Sequence, residues 1–332
     1  MTTLKPGLKL GSTLFAFTNE FHSREYSFEQ LIAEIAKRKL GPGLEVIGFQ
    51  SIKGFPTVTD AFAERFRELT AKHQLTPSCF SINADMALRR GQMMSIDEAV
   101  AYHEPQIKAA AKLGFPVVRC QFAAPAEVIR RLVPLAEKLN LKLGPEIHAP
   151  LMPQSPPVLA YREMYAKVNS PCLGFIPDFG TTARTIPESY LDTLRQQGIA
   201  ESHIQTTLEV WRQPLDANAK RVELARRLGE GTVAPAVFSA LAAMFNIMSA
   251  NKPAVWREIL PQVIHIHGKF YDFDGSGSES AIPYEELLPI FKDGGYDGFM
   301  SSEWEGHMYS NANAFDMVEK HHALCNRILA AH

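Results

Sequence analysis

The side chains most able to do chemistry stand at the ends of apolar runs. In Pro145-Glu146-Ile147-His148-Ala149, Glu146 and His148 share a face if the run is extended, because side chains alternate along a strand. Ile176-Pro177-Asp178-Phe179-Gly180 holds one charge, Asp178. Val263 to Lys269 puts His265, His267 and Lys269 on one face and Ile264 and Ile266 on the other. Phe299 to Glu305 sets Glu303 on the face of Phe299 and Ser301. Three carboxylates brought together repel unless a cation neutralises them. Carboxylate oxygen with one imidazole suits Mn²⁺, Mg²⁺, Fe²⁺, Zn²⁺ or Co²⁺. His148, ~6.5 Å beyond Glu146 along the same face, is placed to act as a general base on a substrate held beside such a metal.

These residues need elements that bring four chain segments to one place. Strand-like runs span Lys9–Phe17, Leu44–Gln50, Ser78–Ala84, Pro116–Phe122, Lys142–Ala149, Leu173–Gly180, Gln262–Phe270 and Gly298–Trp304. Helical periodicity separates them: Phe28, Leu31, Ile32, Ile35 and Ala36 follow the 3.6-residue repeat, with Ser27 as N-cap and Gln30 completing a capping box. Eight strand–helix units predict a single-domain (β/α)8 barrel over 1–332, with its site at the C-terminal strand ends. Neither a GxGxxG turn after the first strand nor a P-loop is present.

Residues 181–261 break the rhythm and predict a helical insertion between strands 6 and 7. Its last piece has an apolar face of Val237, Phe238, Leu241, Met244, Phe245 and Met248. That face is expected to be buried against another chain. Glu45, at the start of the second strand, is expected to be structural at the barrel bottom, Trp304 to pack, and His203, His321 and His322 to lie at the surface.

A net charge of −2, from 34 basic and 36 acidic residues, argues against nucleic-acid binding. Cys79, Cys120, Cys172 and Cys325 form no CxxC pair and are expected as buried free thiols. No run reaches the ~20 apolar residues of a membrane span, and no signal-peptide core opens the sequence. A cytoplasmic setting is the expectation.

Pro-Glu-Ile-His at 145–148, Ile-Pro-Asp-Phe-Gly at 176–180, His-Ile-His-Gly-Lys at 265–269 and Ser-Glu-Trp-Glu-Gly at 302–306 resemble the xylose-isomerase-like barrel superfamily of sugar isomerases, epimerases and dehydratases. The resemblance implies one divalent metal held by Glu146, Asp178, His267 and Glu303, the H-x-K pattern selecting His267 over His265. Where many relatives carry a His three residues after the sixth-strand Asp, this chain has Thr181. The Glu-Ile-His run, the long insertion and Glu303 to His307 most resemble the alpha subunits of bacterial C-glycoside deglycosidases. That resemblance implies Mn²⁺, a smaller beta subunit and a 3-oxo-C-glycoside substrate. It also implies a lyase reaction; for such a reaction the residues themselves suggest His148 as the base, Lys269 to stabilise an enolate, and His265 and His307 to contact substrate. A ketose epimerase or isomerase, or an inosose-type dehydratase, is the alternative on the same barrel.

Overall fold

The computed structural model describes residues 7–84, 86, 91–229 and 231–332. Residues 1–6, 85, 87–90 and 230, which fall within the predicted domain and insertion, lie outside the described residues. Eight strands, β1 (Lys9–Thr13), β2 (Gly43–Ile47), β3 (Thr76–Ser81), β4 (Val117–Cys120), β5 (Lys142–Ile147), β6 (Ile176–Pro177), β7 (Ile266–Phe270) and β8 (Phe299–Trp304), form one parallel sheet. Its order is β6-β5-β4-β3-β2-β1-β8-β7. Isolated parallel bridges from Phe175 to Val263 and from Asp178 to His267 join its two edges. The sheet is therefore a nearly closed (β/α)8 barrel.

All eight predicted strands are present, most of them shorter. Leu14–Phe17 leaves β1 as a 3₁₀ turn because Thr13 Oγ1 accepts the Phe15 N–H and bends the chain. β6 shrinks to two residues because Pro177 has no N–H for the ladder. The Ser27–Gln30 capping box forms, at 3.3 Å to Ser27 Oγ and 2.9 Å to Gln30 Oε1.

Between β6 and β7 run the helices Glu188–Gln196, Glu201–Trp211, Ala217–Leu228 and Pro235–Ile247. The apolar face of the last helix, expected to be buried against another chain, is instead packed within this one. Leu241, Met244, Phe245 and Met248 are buried, and Val237 and Phe238 are partly buried against the core. Trp211 Nε1 donates to Met248 O at 2.9 Å, and Tyr190 Oη to Ala240 O at 2.9 Å. This face is thus covered within the chain.

The last helix, Ala314–Ala331, corrects a second expectation: His321 and His322 are buried against the barrel wall. His321 stacks on Phe270 at 4.2 Å and shares a 2.7 Å hydrogen bond between its Nδ1 and Ser302 Oγ. His322 Nε2 lies 3.3 Å from Gly11 O. Trp304 is buried as expected, its Nε1 donating to Tyr271 O at 3.0 Å. His203 is half-buried within the insertion.

Burial lowers the pKa of His322 to about 4. The unfolded chain, with an ordinary imidazole, binds this proton near pH 6.5, so between those values it holds more protons than the folded chain. Stability contributed by neutral His322 is present above pH 6.5 and lost as pH falls toward 4. Urea unfolding at pH 7 and pH 5 should show about 2 kcal/mol lost through this residue. The loss should shrink by that amount in His322→Gln; an unchanged pH dependence would contradict the assignment.

Candidate active site

Every acid expected at the mouth is there and buried. Glu146 ends β5, Asp178 follows β6, His267 lies on β7 and Glu303 on β8. One candidate ligand atom from each lies within 4.8 Å of the others. His267 Nδ1 is 2.5 Å from Glu146 Oε1 and 3.5 Å from Glu303 Oε1. Asp178 Oδ1 accepts the Gly180 N–H at 2.7 Å, while Oδ2 faces Lys269 Nζ at 2.8 Å. Glu303 Oε2 is buried with no hydrogen-bond partner. Three carboxylates and an imidazole, with Asp178 Oδ2 and Glu303 Oε2 both lacking a hydrogen-bond partner, fit a divalent cation.

The electrostatics show how strained this grouping is. Burial is the largest influence on Glu303 and raises its pKa to about 8; His267 and Lys269 pull against it, while Asp178 and Glu146 add to it. Burial also pushes Glu146 upward, but Arg119 and His267 overcome it and hold the carboxylate well below its usual range. Burial opposes the charge on His267, and Glu45, Glu303 and Glu146 together keep its pKa well above the usual imidazole value.

His148 is half-buried beside this set. Its Nδ1 is 2.6 Å from Ala149 O, a contact only an N–H can make well, so Nε2 carries the lone pair. Lys269 Nζ donates to that Nε2 at 2.8 Å. Lys269 also lies 2.6 Å from Glu305 Oε2. His148 and Glu146 line a cavity of about 550 Å³ with Asn83, Arg119, Gln121 and Phe122.

Two predicted residues stand elsewhere. His265 is fully buried one layer beneath the mouth, with Nε2 2.9 Å from Ser301 Oγ and 3.4 Å from Glu45 Oε2. It borders a separate cavity with Ser78, Lys142 and Gly298 at the opposite strand ends. Its place therefore does not suit the substrate contact expected of it, because the β-strand puts it two residues short of His267. His307 is buried above the mouth, with Nδ1 2.7 Å from Trp304 O and its ring edge-on to Phe15 at 5.0 Å.

Two residues escaped the sequence reading, and a third was expected elsewhere. Arg119 on β4 pairs with Glu146, its Nε at 3.1 Å and its Nη2 also in contact. Glu305 accepts from Lys269 and from Tyr271 Oη at 3.1 Å. Glu45, expected to be structural at the bottom, reaches His267 Nε2 at 3.0 Å. Each had a signal: an isolated charge in Val117 to Cys120 or in Leu44 to Val46, and a second Glu two residues beyond Glu303 on the same face.

No family model matches the chain. It is 39 % identical over 329 residues to the C-glycoside deglycosidase alpha subunit of Arthrobacter globiformis, covering 97 % of this chain and 93 % of that protein. It is also 39 % identical over 338 residues to the 3'-dehydrocarminate deglycosidase alpha subunit of a Microbacterium species, covering 96 % and 95 %. The chain belongs to the C-glycoside deglycosidase alpha subunit family. Among solved structures, a xylose isomerase-like TIM barrel protein from Mycobacterium smegmatis in complex with magnesium superposes with a TM-score of 0.54 at 13 % identity, covering 97 % of each chain. That likeness establishes the fold of this alpha subunit family member. Among the described residues, no helix is long and apolar enough to cross a membrane.

Gly180 offers a direct check on Asp178. A Cβ there would stand 2.9 Å from both Asp178 Oδ1 and Lys269 Cδ. Gly180→Ala should therefore turn Asp178 out of the set and weaken divalent-metal binding roughly tenfold or more. Elemental analysis after dialysis against a graded chelator series measures this; unchanged metal content would show that Asp178 is not a ligand.

Proposed function

We propose that this chain is the catalytic subunit of a metal-dependent lyase that cleaves the carbon–carbon glycosidic bond of 3-oxo-C-glycosides. The observation that carries the reading is the lone pair of His148 Nε2, aimed beside the buried set Glu146, Asp178, His267 and Glu303. Family membership supports the reaction class.

A C–C glycosidic bond has no leaving oxygen to protonate, so the paired carboxylates of ordinary glycosidases offer no help. A ketone at C3 instead acidifies the C2 hydrogen. His148 Nε2 takes that proton, and the C–H electrons form the enolate. The enolate then re-forms the C3 ketone and a C1–C2 double bond as the bond from C1 to the aglycone breaks. The departing aglycone carbon keeps that electron pair and takes up the proton that His148 Nε2 removed from C2, which restores the base. The products are the free aglycone and an unsaturated 3-keto sugar.

Glu146, Asp178, His267 and Glu303 would hold the divalent ion, with Mn²⁺ favoured by the family resemblance, and it would supply Lewis-acid stabilisation of the developing oxyanion. Lys269 Nζ, fixed by Asp178 and Glu305, adds a fixed positive charge next to His148. Before substrate arrives, its N–H keeps the His148 lone pair oriented. The alpha-subunit names of the relatives support assembly with a beta subunit, which the family resemblance implies is smaller. Four free cysteines fit a reducing, cytoplasmic setting.

Two variants test this reading with a 3-oxo-C-glucoside as substrate. His148→Ala should keep its metal but lose roughly 10²–10⁴ in turnover, and exchange of the C2 hydrogen with solvent should fall equally. Wild-type exchange in that variant would assign the base elsewhere. Glu303→Ala should lose bound metal and turnover together, and equal metal content in the two proteins would overturn the ligand assignment. Turnover of free ketoses in preference to the glycoside would favour the epimerase alternative.

A further inference from the structure

The layer beneath the candidate metal ligands is polar, although barrel interiors are ordinarily filled by branched apolar side chains. Glu45 on β2 is fully buried there. Its Oε1 accepts from Ser81 Oγ at 2.7 Å and lies 3.0 Å from His267 Nε2, while its Oε2 lies 3.4 Å from His265 Nε2. The two imidazole rings stand nearly perpendicular, 5.9 Å apart at 86°, each turning an edge to this carboxylate. The opposite edge of His267 presents Nδ1 to Glu146 and Glu303.

Taken with the metal reading above, on which this inference rests, we propose that Glu45 is a positioning residue that holds His267 as its Nε2–H tautomer, so that Nδ1 is the atom offered to the cation. A neutral imidazole has one N–H and one lone pair. A carboxylate can only accept, so the nitrogen facing Glu45 carries a proton whether or not a cation is bound; Nδ1, which faces Glu146 at 2.5 Å, is the nitrogen whose proton a cation among the ligand carboxylates would displace. The reverse tautomer would point the Nε2 lone pair at the lone pairs of Glu45 and leave none for a cation among Glu146, Asp178 and Glu303. Ser81 fixes Glu45 by a hydrogen bond to the same oxygen, and His265 meets the other. Removing such a partner of a metal-bound histidine ordinarily weakens metal affinity by roughly 10–100-fold.

The test uses the full chain and Mn²⁺ titrated against a competing chelator. Glu45→Gln keeps the size and a carbonyl acceptor but removes the charge; Glu45→Ala removes both. Ser81→Ala leaves the carboxylate but frees it to rotate, and serves if the Glu45 variants fail to fold. Expected are a 10–100-fold loss of Mn²⁺ affinity in Glu45→Ala, a smaller loss in Glu45→Gln, and the smallest in Ser81→Ala. In the zinc-loaded wild type, long-range ¹H–¹⁵N spectra should show the His267 proton on Nε2. Wild-type Mn²⁺ affinity in folded Glu45→Ala or Ser81→Ala, or a proton on His267 Nδ1, would overturn the proposal. Glu303→Ala separates the two readings. If it loses Mn²⁺ while the Glu45 variants bind normally, only the role of Glu45 falls. If the wild type binds no Mn²⁺, the metal reading falls and takes this one with it.

Discussion

Lys269 Nζ lies 2.8 Å from Asp178, 2.6 Å from Glu305 and 3.9 Å from Glu303, with almost none of its side chain in solvent. That ammonium group and the Arg119 guanidinium are the permanent cations holding Glu146, Asp178, Glu303 and Glu305 together inside the barrel. Like charges this close in a poorly solvated place repel by several kcal/mol unless each is paired. Pairing is incomplete: Glu303 Oε2 has no hydrogen-bond partner and only the distant Lys269 charge, and its carboxyl is driven up to about 8. Buried ion pairs of this kind are weak contributors to stability, because desolvation offsets most of their attraction. Their concentration at one end of the barrel is thus better explained by chemistry than by folding.

The rest of the molecule keeps those charges in register. They stand on or just beyond β4 (Arg119), β5 (Glu146), β6 (Asp178), β7 (Lys269) and β8 (Glu303 and Glu305), so the spacing of side chains across the mouth is set by backbone hydrogen bonds between neighbouring strands. β7 and β8 pair Lys269 with Glu303, and β5 pairs Glu146 with Ile176, two residues before Asp178. The insertion contributes from the side. Ile247 O stands 3.2 Å from where a Cβ on Gly180 would be, and Ser249 N–H donates to Gly180 O at 3.0 Å. Those contacts press on the turn that orients Asp178. The insertion therefore reaches the site through Gly180, while the apolar face of its last helix is covered inside the chain.

The resulting cavity is asymmetric in a way the chemistry requires. Glu146 and His148, successive members of one strand face, give it one wall, and Asn83, Arg119, Gln121 and Phe122 form the other. A substrate lying there would meet the Glu146 carboxylate and the His148 imidazole on the same side. In the proposed reaction, proton abstraction and charge stabilisation would then act on neighbouring atoms of the same substrate.

Local information determined a good deal. Two-residue alternation marked Glu146, Asp178, Glu303 and the His265–Lys269 face as strand-end groups, and helical periodicity with its caps separated eight strands, enough to specify the barrel. These signals are local because they follow from backbone geometry within a few residues. What remained open depends on distances between segments far apart in sequence. His265 and His267 share a face, and only the depth of β7 in the barrel puts one at the mouth and the other beneath it. The partnerships of Arg119 with Glu146, Glu305 with Lys269 and Glu45 with His267 join different strands or strand ends. The burial of His321, His322 and the Val237 to Met248 face depends on which side of each helix meets the wall. Period and residue type say which side chains share a face; only the closed packing of the chain says what that face touches.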